Sequence, residues 1–122
     1  MGGAIANILS VASLVNFPML GSYSASKAAL YSLTQGVRAE LTKQGTGVFG
    51  VYPGPIDTDM AAGVPMEKAP PSEIAQGTFE AMEKGIEDIF IDPFAVQFEK
   101  EYKDKPFSYA KQFAEMLPES VS

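Results

Sequence analysis

The sequence contains no cysteine and no histidine among its 122 residues. Without cysteine there can be no disulfide framework, no thiolate nucleophile and no cysteine metal site. Without histidine, a Ser-His-Asp triad within the chain is excluded and a conventional zinc site is not expected. We interpret Asp57 and Asp59 as solvated loop carboxylates, and we expect no metal.

Positive charge is scarce, since 9 lysines and arginines face 15 aspartates and glutamates and leave a net charge of −6. This balance argues against a nucleic-acid partner and against an anionic membrane surface. No apolar run approaches the roughly 20 residues of a membrane span. No basic region precedes the first apolar run, as it would in a signal peptide. We therefore expect a cytoplasmic protein with neither a nucleic-acid nor a membrane partner.

The chain opens almost directly on an apolar run at residues 4–9, AIANIL. A near-continuous apolar run is typical of a strand buried on both faces, the kind found in parallel sheets. A domain rarely begins with such an interior strand. We therefore expect that part of the domain lies outside this chain.

The rest of the pattern alternates strands and helices. After the strand at 4–9 we predict a helix at about 24–44, a strand at 47–52, a helix at about 70–84 and a strand at 88–91. Gly45 is the expected cap of the first helix. Two more helices follow at about 92–102, with Asp92 as the N-cap and Pro93 at the first helical position, and at about 105–117. This β-α-β-α-β order, followed by two C-terminal helices, is typical of an α/β protein with a parallel sheet. We predict one partial Rossmann-like domain over residues 1–122, the C-terminal part of a doubly wound sheet.

Tyr23 and Lys27 stand four residues apart at the start of the predicted long helix, and so lie on one helix face. An ammonium beside a phenol favours its ionised form, which suits the tyrosine to donate and accept a proton. The pair alone also fits an ordinary helix start with a solvated lysine. Ligands of parallel sheets bind beyond the carboxyl ends of the strands. Ser10 and residues 53–58 follow two predicted strands, so we expect these features at one edge.

Three motifs in combination resemble the short-chain dehydrogenase/reductase family, specifically its C-terminal half. They are NILS at 7–10, YSASK at 23–27, thirteen positions after Ser10, and PGPIDT at 53–58. The resemblance covers residues 2–60 well. One departure within it is Ser13, which stands where many members of the family have glycine.

The resemblance implies an NAD- or NADP-dependent oxidoreductase that transfers a hydride between nicotinamide and a small carbonyl or alcohol substrate. Tyr23 would be the catalytic acid/base, and Ser10 would hydrogen-bond the substrate oxygen. Lys27 would favour the ionised tyrosine and bind the nicotinamide ribose. Pro53 and Gly54 would pass beside the nicotinamide. The implied cofactor-binding set is Tyr23, Lys27, Pro53, Gly54, Ile56 and Thr58, the last two holding the carboxamide.

The glycine-rich turn of this family, between a strand and the helix that follows it, is not found in the chain. That turn and the helix after it hold the cofactor pyrophosphate. The GxGxxG spacing at residues 45–50 runs from the end of the long helix into the predicted strand 47–52 and does not lead into a helix. We therefore interpret the chain as a truncated family member that is inactive alone. Two alternatives are a non-catalytic folding or oligomerisation module, and a serine acyl hydrolase that uses Ser24 and Lys27 as an SxxK pair.

We also expect the chain to form a homodimer or a larger homo-oligomer. With three strands, residues 4–9 would lie at a sheet edge, and an exposed apolar edge strand invites pairing with another chain. The family resemblance implies in addition that the long helix packs against its twin in a dimer. Identical chains most often use such two-fold contacts.

Overall fold

The computed structural model describes residues 3–54, 70–105, 111–112 and 115. Its sheet has three parallel strands in the order β1-β2-β3. Pairing between the first two is in register from Gly3 opposite Thr46 to Ile8 opposite Val51. This confirms the predicted α/β fold with a parallel sheet. The strands are β1 (Gly3–Ile8), β2 (Thr46–Val51) and β3 (Asp88–Ile89).

The described helices follow the predicted alternation with the strands. They are α1 (Gly21–Leu41) between β1 and β2, α2 (Pro71–Glu83) between β2 and β3, and α3 (Pro93–Asp104) after β3. Two 3-10 turns, Val11–Ser13 and Pro18–Leu20, occupy the connection before α1. Of the second C-terminal helix predicted at 105–117, only 105, 111–112 and 115 are described, and 111–112 are helical.

The boundaries of α1 differ from the prediction at its start. The helix begins at Gly21, and not at residue 24, because the 3-10 turn Pro18–Leu20 leads directly into it. Its far end continues through a 3-10 turn, Thr42–Gln44, to Gly45. Gly45 has a φ of 78°, the left-handed conformation that glycine adopts at low cost. Gly45 therefore ends the helical segment, as the sequence predicted.

The apolar run at 4–9 indicated a strand buried on both faces, which is wrong for the described structure, whereas the edge position expected with three strands is confirmed. Every residue of β1 is exposed except Asn7, which is half-buried. Ile5 is 40% exposed and Ile8 is 50% exposed, relative to the fully accessible residue. The reason is topological, because β1 lies at the sheet edge and pairs with β2 alone among the described strands. The apolar run did predict a strand, but its burial depends on a neighbour.

Two apolar clusters pack α2 and α3 against the rest of the fold. One, the α2 core, joins β2 and β3 to α2. The other, the α3 core, joins the chain after β1 to α3. Burial of a side chain such as Phe98, 1% exposed, contributes about 1.5–3 kcal/mol. The α3 core therefore fixes the segment after β1, where Ser10 lies. Its buried members are Val11, Ala12, Val15, Phe17, Ala95 and Phe98.

The structure also bears on membrane insertion. No helix in the described part of the chain has both the length and the hydropathy needed to cross a membrane.

Candidate active site

The segments that leave β1 and β2 run side by side at the carboxyl edge of the sheet. The amide of Leu9 donates to the carbonyl of Val51 at 2.7 Å, and the amide of Val11 donates to the carbonyl of Pro53 at 3.1 Å. Ser10 lies between these two contacts. The structure thus places Ser10 beside Pro53, as expected for strand ends of a parallel sheet.

Ser10 is held in one orientation by its own 3-10 turn. It is 7% exposed, and its hydroxyl accepts a hydrogen bond from the amide of Ala12 at 3.1 Å. The hydroxyl of Ser13 accepts in turn from the amide of Ser10 at 3.0 Å, which completes a capping box. Among the described residues the Ser10 hydroxyl thus acts as an acceptor. Its own proton can be donated to a substrate oxygen.

Ser13, noted above as a departure from glycine, has a structural role in this turn. A glycine at this position has no side chain to accept from the amide of Ser10, so the serine adds a fixed contact to the turn. The two serines stand three residues apart, which is the spacing of a capping box. That spacing could have identified the contact from the sequence.

Tyr23 and Lys27 occupy the first two turns of α1, and both are half-buried. The ammonium nitrogen of Lys27 lies 5.7 Å from the centroid of the Tyr23 ring. The same nitrogen donates to the carbonyl of Ile8 at 2.8 Å, where β1 ends. The Tyr23 ring packs against the α3 core. Lys27 therefore joins the start of α1 to the strand that leads into Ser10.

Ser24 does not have the surroundings of a nucleophile. It is 1% exposed, its oxygen accepts from the amide of Phe17 at 3.0 Å, and it donates to the Phe17 carbonyl at 3.3 Å. The ammonium of Lys27 is bonded to Ile8 instead. Ser24 ties the preceding loop to α1, so the geometry gives no support to the serine hydrolase alternative.

Pro53 and Gly54 are held by α3. The amide of Gly54 donates to Oδ1 of Asp92 at 2.9 Å, while Oδ2 of Asp92 accepts from the amide of Ala95 at 3.1 Å. The second contact is the helix cap that the sequence predicted for Asp92. The first joins residues 38 apart and was missed. Ile56 and Thr58, with Asp57 and Asp59, lie outside the described residues.

Tyr52, the residue before Pro53, is anchored in the core. It is 1% exposed, stacks on Phe90 at 4.8 Å between ring centroids, and donates to Oδ1 of Asp88 at 2.8 Å. Burial raises the pKa of Tyr52, and the hydrogen bond to Asp88 and the charge of that carboxylate raise it further. The pKa of Tyr31 is also raised, mainly by burial. Tyr52 therefore stays a neutral phenol and serves as a structural support.

A sequence profile of the family described as short chain dehydrogenase matches residues 1–69. An uncharacterized oxidoreductase of Staphylococcus saprophyticus is 35% identical over 84 residues, which are 64% of this chain and 36% of that protein. A second one, from Staphylococcus aureus, is 34% identical over 82 residues, or 62% of this chain and 36% of that protein.

Solved structures show the same similarity. A short chain dehydrogenase of Burkholderia cenocepacia in complex with NADP superposes with a TM-score of 0.85 at 34% identity, over 96% of this chain and 48% of that one. A short chain dehydrogenase/reductase of Burkholderia phymatum in complex with NAD has a TM-score of 0.63 at 22% identity, over 85% of this chain and 49% of that one. The latter shows the fold alone. The chain thus spans about half the length of these dehydrogenases.

Proposed function

Because the chain belongs to the short-chain dehydrogenase family, we propose that it is the catalytic C-terminal part of an NAD- or NADP-dependent oxidoreductase. Its substrate would be a small carbonyl or alcohol, and residues 1–122 would form part of one Rossmann-like domain. The observation that carries the proposal is the contact of Lys27 with the end of β1, which joins the Tyr23–Lys27 pair to the strand leading into Ser10.

In the proposed reaction, Tyr23 donates its phenolic proton to the substrate oxygen during reduction and takes it back during oxidation. Ser10 donates its hydroxyl proton in a hydrogen bond to the same oxygen and so stabilises the charge that develops there. The turn Val11–Ser13 holds Ser10 in place for this task. When bound, the cofactor supplies or takes up the hydride.

The described residues fit the nicotinamide end of such a cofactor. An ammonium group has three protons to donate, and the bond to Ile8 uses one of them. Lys27 therefore keeps donors for ribose hydroxyls. The segment Pro53–Gly54 lies beside Ser10 and is fixed on both sides. The glycines of the GxGxxG spacing at 45–50 lie at a helix end and in β2, and not in a turn that leads into a helix, so they do not fit the pyrophosphate end. We therefore propose that the chain alone is inactive.

A hybrid protein tests this function directly. The part of the Burkholderia cenocepacia dehydrogenase that precedes its matched half would be joined to residues 3–122 of this chain. We expect the hybrid to oxidise or reduce a panel of small alcohols or carbonyls with NADP or NADPH, measured by absorbance at the nicotinamide band. Tyr23→Phe should lower turnover by about 10²–10⁴-fold, because it removes the acid/base.

Tyr31→Phe is the matched control, since Tyr31 lies two turns further along α1 and its hydroxyl contacts Gln35. A Tyr23→Phe hybrid that keeps more than a few per cent of the turnover would refute the acid/base role. A folded hybrid without turnover on any substrate would count against the oxidoreductase proposal itself. Cell fractionation would test the cytoplasmic location expected from the sequence.

We propose in addition that the 122-residue chain associates through β1. This strand pairs with β2 on one side, and its side chains Ile5 and Ile8 are largely exposed. In a longer protein a further strand could cover this edge. In the chain alone, a two-fold axis would pair β1 with its twin in the antiparallel sense.

Sedimentation equilibrium over a tenfold range of concentration tests this association. We expect a dimer or a larger species that Ile5→Lys weakens, because a charge at an edge strand opposes pairing. Val96→Lys, on α3 and outside both β1 and α1, is the matched control, with Val96 48% exposed. A 13.0 kDa species at all concentrations would show that the edge needs no partner.

A further inference from the structure

We propose that Asp92 is a positioning residue, which ties the Pro53–Gly54 segment to the start of α3 and so holds it for catalysis. The proposal rests on the proposed function, in which this segment lies beside the nicotinamide ring. Asp92 touches neither substrate nor cofactor in this proposal. It acts through the backbone of Gly54.

The carboxylate of Asp92 divides its two oxygens between two different parts of the chain. Oδ1 accepts from the amide of Gly54 at 2.9 Å, and Oδ2 accepts from the amide of Ala95 at 3.1 Å. Asp92 is only 3% exposed, so water competes little for either bond. A negative charge at a helix N-terminus is also favoured by the helix dipole. These contacts give the carboxylate one well-defined orientation.

The Pro53–Gly54 unit is held from both directions. The carbonyl of Pro53 accepts from the amide of Val11, next to Ser10, and the amide of Gly54 is bound by Asp92. A Cβ at Gly54 would lie 2.7 Å from Oδ2 of Asp92 and 2.7 Å from Cδ1 of Phe94. The close approach therefore requires glycine. Asp92 thus joins α3 to the same backbone that adjoins the proposed catalytic serine.

Such a tether matters because hydride transfer depends on sub-ångström placement of the reacting groups. A bound nicotinamide would rest against Pro53 and Gly54, so freedom in this backbone would become freedom in the ring. The proposed contacts at the other end of the cofactor belong to a part of the protein outside this chain. Loss of the tether should therefore lower kcat more than it raises the KM for the cofactor.

Asp92→Ser is designed to keep the hydrogen bond to Ala95 and to remove the hydrogen bond to Gly54. Serine is as good an N-cap as aspartate, so the contact with Ala95 is retained. Its side chain is too short to reach Gly54 at the same time. Asp92→Ala removes both contacts and shows the cost of losing the cap. Asp92→Asn keeps the size of the side chain but has a single acceptor oxygen, so it loses one of the two contacts. It provides a second test if the serine variant fails to fold.

The first readout is amide hydrogen exchange in the full 122-residue chain, followed by NMR. In Asp92→Ser we expect the Gly54 amide to exchange at least ten times faster, with the amide of Val51 changed less than threefold. An unchanged rate at Gly54 in both the serine and the asparagine variants would overturn the tether.

The second readout is steady-state kinetics of the hybrid protein. Asp92→Ser should lower kcat at least tenfold and change the cofactor KM less than threefold. Faster exchange at Gly54 with an unchanged kcat would overturn the positioning role and leave a purely structural one. A folded wild-type hybrid without turnover would refute the proposed function and the catalytic role of the tether with it. Hydrogen exchange would still decide separately whether the tether exists.

Discussion

Replacing Tyr52 by phenylalanine removes one hydroxyl from the core and leaves the ring in place. That hydroxyl donates to Oδ1 of Asp88 at 2.8 Å. Asp88 keeps the guanidinium of Arg38 at 3.3 Å, and its side chain is 52% exposed, so water can replace the lost donor. We therefore expect the variant to lose about 1.5 kcal/mol of unfolding free energy at pH 8, the lower end for a hydrogen bond to a charged group.

The difference between wild type and variant should depend on pH. Burial, followed by the hydrogen bond to Asp88, raises the pKa of Tyr52 in the folded state. The unfolded state releases the proton first, at a pKa of about 10. The contribution of Tyr52 to the free energy of unfolding is therefore fully present below about pH 10. It is lost as the pH rises above that value, by about 1.4 kcal/mol per pH unit. The difference of about 1.5 kcal/mol at pH 8 should fall to near zero at about pH 11.

Urea unfolding at pH 8 and pH 11 measures this change. Tyr31 also has a raised pKa, but it is present in both proteins and its effect cancels in the difference. Asp88→Asn is a useful companion variant, because it keeps an acceptor for Tyr52 and removes the charge. If the difference between wild type and Tyr52→Phe were the same at both pH values, Tyr52 would ionise equally in the folded and unfolded states. The effects assigned to burial and to Asp88 would then be wrong.

Two further predictions concern the proposed site. Lys27→Met should lower turnover of the hybrid at least 10²-fold, because it removes the charge beside Tyr23 and the bond to Ile8. Lys43→Met, at the far end of the helical segment, is the control. Equal activity of the two variants would refute the role of Lys27. The 122-residue chain should bind NAD and NADP with a Kd weaker than about 10 μM, near −7 kcal/mol, because it offers contacts to the nicotinamide end only. Titration calorimetry that gave a tighter value would contradict this.

Much of the fold was predictable because its signals are local. Apolar runs indicated the strands, and Gly45 was recognised as a helix end. Asp92 followed by a proline was recognised as a helix start. Of the candidate site, Tyr23 and Lys27 were predictable as neighbours on one helix face, since helical geometry alone places them there. The bond from Lys27 to Ile8 was not, because it depends on how the helix packs against the sheet.

The sequence by itself determined the order of strands and helices, the family, and the caps that lie within a few residues of the groups they bind. Only the tertiary structure decided which distant groups meet. Asp92 binds Gly54 across 38 residues, and Tyr52 binds Asp88 across 36. The apolar run of β1 indicated a buried strand, whereas its exposure follows from its place at the sheet edge, because burial of a strand requires neighbours that its own sequence does not specify. Local patterns act through bonded neighbours, whereas these contacts form only when the sheet and helices pack together.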